Sequence, residues 1–305
     1  MLGGAHAAHA EPAAAGAAPS VLGASAAAAP AATAQTAAAE AFDAGERALR
    51  SQDYATAYRL LHAAAEHGHA QAQCALAGMY LAGQGVAADD TQALAWYRKA
   101  AEQGNAEART GLGLMYANGR GVAMNDTVAV KWFRLAAEQG NAAGQSNLGV
   151  MYLEGRGVDQ NDAEAARWTR MAALQGEPLA QYNLGLLFRD ARGVEQDEVE
   201  GAWWVNKSAE QNNAEAQASL GLMYAEGRGV PHDDEVAVQW WRKGAEHGNA
   251  LAQYYLGVSL ATGRGVMPDP EQALQWLMRA AQQGLAQARD YLWANGNISV
   301  ESASR

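Results

Sequence analysis

The stretch YANGRGVAMND, residues 116–126, sets a tyrosine and an arginine among glycines and asparagines and closes the turn with a valine. It returns as YLEGRGVDQND at 152–162 and YAEGRGVPHDD at 224–234. Looser copies read YLAGQGVAADD at 80–90, FRDARGVEQDE at 188–198 and LATGRGVMPDP at 260–270. The short core begins at 83, 119, 155, 191, 227 and 263, a constant step of 36 residues without one insertion. Self-similarity at such a period is the mark of a stacked array, in which each unit buries its apolar face only against its neighbours.

Residues 105–140, NAEARTGLGLMYANGRGVAMNDTVAVKWFRLAAEQG, show how one unit works. Ala108, Leu112, Gly113, Met115 and Tyr116 recur at spacings of helical periodicity. Gly119 follows, at the place where a left-handed residue ends a helix at little steric cost. Asn125 or Asp126 then offers an oxygen to cap a second helix. That helix carries Ala129, Trp132, Ala136 and Ala137 on one face and stops at Gly140. Val122 is placed to fill the gap between the two helices. Gly113, Gly149, Gly185, Gly221 and Gly257 stand inside first helices, where an exposed glycine costs about 1 kcal/mol relative to alanine. Their recurrence predicts that the tryptophan of a neighbouring helix, one of Trp96, Trp132, Trp168, Trp204, Trp240 and Trp276, lies on bare backbone.

Composition narrows the class. Of 305 residues, 49% are apolar, many of them alanine, and only seven are proline. No segment alternates as a strand would, so an all-α chain is expected. The formal net charge of −11 argues against nucleic acid as partner, since phosphate binding needs clustered Lys and Arg. No apolar run is long enough to span a membrane. Cys74 is the single cysteine, so no intrachain disulfide framework exists. Residues 1–36 are an Ala/Pro/Gly/Ser/Thr tract without the charged start and apolar block of a secretory signal. A disordered tail is expected there, with cytoplasmic placement by default and periplasmic placement if the true start lies upstream.

The pattern N-A-x-A-x-x-x-L-G-x-M-Y-x-x-G-R-G-V-x-x-x-D-x-x-x-A-x-x-W-x-x-x-A-A-x-x-G resembles the Sel1-like repeat, a relative of the tetratricopeptide repeat. Six full copies run from 69 to 284, and residues 37–68 resemble a degenerate first unit of tetratricopeptide type. The resemblance implies a right-handed α/α superhelical solenoid that acts as an adaptor for a partner protein or peptide, with no cofactor and no catalysis. Alternatives within the family are a β-lactam-binding or weakly hydrolysing protein and an envelope-associated regulator. The cysteine pairs of the β-lactam-linked branch are absent here. Residues 285–295 repeat a first helix but hold Trp293 in the glycine place, as a terminal cap that covers the open end. Residues 296–305 are expected to be a frayed tail.

By the same resemblance the first helices line a concave face. Two columns there vary while their neighbours repeat: Cys74, Thr110, Ser146, Tyr182, Ala218, Tyr254, and Ala75, Gly111, Asn147, Asn183, Ser219, Tyr255. Positions that vary inside a repeated frame are not dictated by the fold, so Asn147, Tyr182, Asn183, Tyr254 and Tyr255 are the candidate partner contacts. Drift without purpose is the competing reading.

The row Arg120, Arg156, Arg192, Arg228 and Arg264 serves either an acidic partner or, as its regular placement favours, helix-end carbonyls and carboxylates such as Glu154 or Glu226. Unit four departs most from the pattern, with Glu177-Pro178, Phe188, Ala191 in a glycine place and Asn212 in another. Divergence or a contact site would each account for this, and a loop that differs locally is expected around Ala191. His67 and His247 end helices; His67, His69 and Cys74 are the only trio with metal-ligand chemistry, at a spacing that fits no familiar site. His6 and His9 in the tail are the remaining candidates for adventitious metal. No nucleophile elbow, zinc-protease helix or phosphate loop is present, so no enzyme activity is expected.

Overall fold

The computed structural model describes residues 28–295, as fifteen α-helices with no strand among the described residues. An N-terminal unit, ahead of the six full copies, consists of α1 (Ala28–Arg50) and α2 (Tyr54–Glu66). Six pairs, units one to six, follow in register: α3 (Ala70–Ala82) with α4 (Asp90–Glu102), α5 (Ala106–Asn118) with α6 (Asp126–Glu138), and α7 (Ala142–Glu154) with α8 (Asp162–Leu174). The next are α9 (Pro178–Arg189) with α10 (Glu198–Glu210), α11 (Ala214–Glu226) with α12 (Asp234–Glu246), and α13 (Ala250–Thr262) with α14 (Pro270–Gln282), before a single α15 (Ala286–Ala294). Every helix packs on the one before it and the one after it, as an array of helical hairpins requires.

Local chemistry sets these boundaries. Asp89, Asn125, Asn161, Asp197, Asp233 and Asp269 cap the second helices through their side-chain oxygens, and Asn105, Asn141, Asn213 and Asn249 cap first helices. First helices end on a left-handed residue, such as Gly119 at φ 67°. The next glycine is needed for proximity as well as conformation: a Cβ on Gly121 would lie 2.5 Å from the carbonyl oxygen of Asp90, at the start of the preceding unit's second helix. The valines Val86, Val122, Val158, Val194, Val230 and Val266 are half-buried against the apolar clusters beside them.

Four expectations need correction. Residues 28–36, placed in the tail by composition, are helical, because an alanine-rich run has high helix propensity and α1 is anchored by the buried Ala38 and the half-buried Phe42. Residues 1–27, with His6 and His9, and residues 296–305 lie outside the described residues. Secondly, the mid-helix glycines face the residue after the periodic tryptophan. Gly113 lies under Phe133, Gly149 under Thr169, Gly185 under Val205, Gly221 under Trp241 and Gly257 under Leu277. One residue turns a helix by about 100°, so the periodic tryptophan looks instead toward the preceding unit. Trp168 accordingly shares a cluster with Ala117, Val130 and Phe133.

Ala191 is the third. Its loop differs only in that α9 ends one residue early, on Asp190 at φ −97°: the alanine itself takes φ 54°, in line with the glycines it replaces, and Gly193 after it keeps φ 68°. The next unit's register depends on this turn, and the packing on either side holds the alanine in a conformation it disfavours by about 1–2 kcal/mol. Asn212, in the other glycine place, takes φ 65°. Finally, Trp293 does not cover the end of the array. It is 70% exposed, because no further second helix follows to pack on it, and α15 is held by the buried Ala288 and Leu292 and by Tyr291.

Candidate partner-binding face

First helices α5 and α7, and α11 and α13, pack on one another across the array. Positions three and four residues apart along such a helix project together onto one face. Tyr182, on α9, is half-buried, and its hydroxyl lies 3.0 Å from Ser219 Oγ on α11. Tyr254 and Tyr255, on α13, have ring centroids 5.3 Å apart, and Tyr254 also meets Tyr291 edge-on at 6.4 Å. Asn183 is half-buried, and Asn147 turns its amide back to the Ala143 carbonyl of its own helix at 2.8 Å. The five residues thus divide. The tyrosines of units four and six join neighbouring helices, whereas Asn147 stays within α7.

Trp241 completes the tyrosine group. Its indole stacks on Tyr255 at 5.0 Å with 21° between the planes, and its Nε1 donates to the Ala218 carbonyl at 3.2 Å. Nothing larger than Gly221 would fit beneath it. Beside this wall, between α11 and α13, opens a cleft of about 300 Å³ with Leu222, Tyr254, Tyr255 and Val258 around it and Glu226, Thr262 and Arg264 at its edge. A smaller cleft of about 40 Å³ between α9 and α11 shares Leu222 and Glu226 with it. Burial, then Tyr254 and Glu226, raise the Tyr255 phenol above its ordinary pKa, so the ring is a neutral hydroxyl at physiological pH.

The edge is charged, but most of that charge is internally spent. Arg120, Arg156, Arg192 and Arg264 each reach back to a carboxylate 30 residues earlier: Asp90 at 2.6 Å, Asp126 at 2.9 Å, Asp162 at 2.7 Å and Asp234 at 2.9 Å. Each also donates to a carbonyl of the preceding first helix, Leu81, Ala117, Leu153 or Ala225. These arginines are therefore staples between units, and their main partners are the opening residues of second helices. Glu154 and Glu226 are secondary partners of Arg156 and Arg228, at 3.5 and 3.7 Å. The arginine bonds hold the Asp162 and Asp234 carboxyls below their ordinary range.

A second ladder fastens the other end of the units. Gln73 bonds Gln103, Gln145 bonds Gln175, Gln181 bonds Gln211 and Gln253 bonds Gln283, at 2.7–2.8 Å, with His247 in the place of one glutamine opposite Gln217. His67 Nδ1 lies 2.8 Å from the Ala63 carbonyl, and His69 caps α3 while stacking on Phe42. Burial, with Glu107 nearby, pushes the Cys74 thiol up to about 12, which removes thiolate reactivity. Among the described residues, no group of three or more His, Cys, Asp or Glu is placed to hold a metal.

Repeat spacing did not single out Trp241, and it named Glu226 only as a partner for the loop arginines. The signal for Trp241 was the doublet in QWWRKG, residues 239–244, where the second tryptophan stands in the place of Phe133, Thr169, Val205 and Leu277. Glu226 continues a column of carboxylates through Glu154 and Asp190 at the ends of first helices, 36 residues apart.

Comparison with known proteins agrees with this architecture. The Sel1 repeat model matches residues 32–69, 70–105, 106–141, 142–177, 178–213, 214–249 and 250–285, so the N-terminal unit belongs to the same series as the six read from the loops. No curated protein matches the chain. Among solved structures, a protective antigen with an SLR fold from uropathogenic Escherichia coli strains is 35% identical with TM-score 0.71. That match covers 88% of this chain but 59% of the antigen, so this chain spans less than two thirds of that protein. A Sel1 repeat protein from Oxalobacter formigenes is 34% identical with TM-score 0.71, over 79% of this chain and 96% of that one. An immunity protein from Pseudomonas aeruginosa, 21% identical with TM-score 0.50 over 71% of this chain and 82% of its own, shares the fold. With seven matched units in unbroken succession, the chain belongs to the Sel1 repeat family.

Proposed function

We propose that the chain is a scaffold that holds a partner protein or peptide against its first-helix face, with units four to six as the principal contact. Sel1 repeat proteins are commonly protein-interaction scaffolds. The observation that carries the finer reading is the aromatic group of Tyr254, Tyr255 and Trp241 beside a cleft of about 300 Å³. Aromatic side chains at the edge of a well-formed depression supply large contact area at small entropic cost. Rigid hairpins stacked in register present such contacts with little ordering to be done on binding.

The test is affinity capture from the native source with the intact chain, with Tyr182→Ala/Tyr254→Ala, and with the outer-face variant Trp203→Ala. A partner should be retained by the intact chain and by Trp203→Ala but lost from the double tyrosine variant, while circular dichroism shows unchanged helix content. Equal retention by the double variant would remove the first-helix face as the contact.

A further inference from the structure

The cleft between α11 and α13 has a charge balance that its apolar lining conceals. Arg264 at its edge is occupied, with Nε on Asp234 at 2.9 Å and Nη2 on the Ala225 carbonyl at 3.2 Å. Glu226, at the same edge, makes its one ion pair among the described residues with Arg228, at 3.7 Å. The Nε and Nη2 of that guanidinium are already committed to Glu198, at 3.3 and 3.1 Å. The corresponding Asp190 in the preceding unit is instead clamped by two bonds from Arg189, at 2.6 and 2.8 Å. Glu226 is also the last residue of α11, where the negative end of the helix dipole disfavours a carboxylate and welcomes a cation. One loosely held negative charge therefore stands over a depression walled by Tyr254, Tyr255 and Trp241.

We propose that this cleft anchors a basic side chain, arginine or lysine, of the partner polypeptide, with the aliphatic stem along Leu222 and Val258, the charged head at Glu226 and the tyrosine rings beside it. The proposal rests on the scaffold reading and specifies its ligand. Ring quadrupoles and a carboxylate both attract cations, and a partly desolvated site strengthens both effects. An acidic side chain would meet Glu226 with like charge, and an aliphatic one would cover the carboxylate without pairing it. The formal net charge of −11 adds attraction for basic segments at a distance.

Fluorescein-labelled decapeptides of one Gly/Ser framework, carrying a single central arginine, lysine, leucine or glutamate, test this by fluorescence anisotropy. The arginine and lysine peptides should bind about 10-fold tighter than the leucine and glutamate peptides, and the preference should shrink as salt is raised. Glu226→Gln, a conservative change at an exposed helix end, should cut the arginine affinity about 5- to 10-fold and leave the leucine peptide unchanged. Tetramethylammonium chloride at matched ionic strength should compete. The proposal is overturned if the leucine peptide binds as well as the arginine peptide, if Glu226→Gln has no effect, or if no peptide binds up to about 10 mM. Partner capture that depends on Tyr254 but survives Glu226→Gln would overturn the anchor and leave the scaffold reading standing. Capture indifferent to Tyr254 would remove both.

Discussion

The chain contains two tryptophan doublets, Trp203-Trp204 in α10 and Trp240-Trp241 in α12, that look alike in sequence and behave differently in the fold. The step of 36 residues assigns the periodic place to Trp204 in the first and to Trp240 in the second. The additional tryptophan therefore precedes the periodic one in α10 and follows it in α12. Trp203 is 51% exposed on the outer side, meeting Trp204 edge-on and Lys207 at 5.6 Å. Trp241 is 5% exposed, lies over Gly221 and forms the wall of the cleft. Two helix positions on either side of a third lie about 200° apart, which is the whole distance from solvent to core. A tryptophan count says nothing of this, whereas its phase against the repeat says nearly all of it.

The most forceful way to break the comparison is to remove each added ring. Trp241→Ala should lower stability by about 3–5 kcal/mol, the usual cost of emptying a buried aromatic site, seen as an earlier urea midpoint by circular dichroism. The matching Trp203→Ala should stay within about 0.5 kcal/mol. Similar losses at both positions would undo the argument from phase.

Gly221→Ala attacks the same wall from below. The added methyl would overlap the Trp241 indole, so a loss of about 1–3 kcal/mol is expected from overpacking. Combining it with Trp241→Ala should recover part of that loss, and strict additivity would show that glycine and ring are not coupled.

Unit four offers a gain. Ala191 stands at φ 54° where its equivalents are glycine, so Ala191→Gly should raise stability by up to about 1 kcal/mol in the same denaturation measurement. A loss would mean that the alanine methyl makes packing worth more than its strain.

The arginine staples should give the smallest and most acid-sensitive effect. Folding lowers the pKa of Asp162 and Asp234, so their contribution is complete above the unfolded value near 3.9 and fades as pH falls through the lower folded value. Each exposed pair is worth about 0.2–1 kcal/mol at neutral pH. An Arg192→Gln/Arg264→Gln variant should therefore be slightly less stable at pH 7 and should lose less than the parent between about pH 5 and 2. Parallel melting curves across that range would show that the staples add nothing.

Much of the architecture was legible because it depends on short-range chemistry that repeats. The Asn and Asp caps, the left-handed glycines and the alanine stripes each act within a few residues, and each appears in nearly every unit. Expectations failed where a side chain had to choose between neighbours. The tryptophans were placed on glycines that belong to the residues after them, and Trp293 was expected to cover the open end but is left 70% exposed. The tyrosines were found as exceptions to the repeat. Glu226 was named only as a partner for the arginine row, because its place at the cleft depends on what Arg228 and Arg264 are already bonded to, 30 residues back.

By itself the chain of residues determined the unit, its length, its two helices and their stops, and with them a stacked all-α array of the Sel1 repeat kind. Periodicity and capping are local, and a constant step leaves stacking as the only way to bury each apolar stripe. Only the tertiary structure decided which carboxylate remains loosely paired and which ring borders the cleft. Those outcomes depend on side chains from three successive units meeting at distances that no spacing along a single helix encodes.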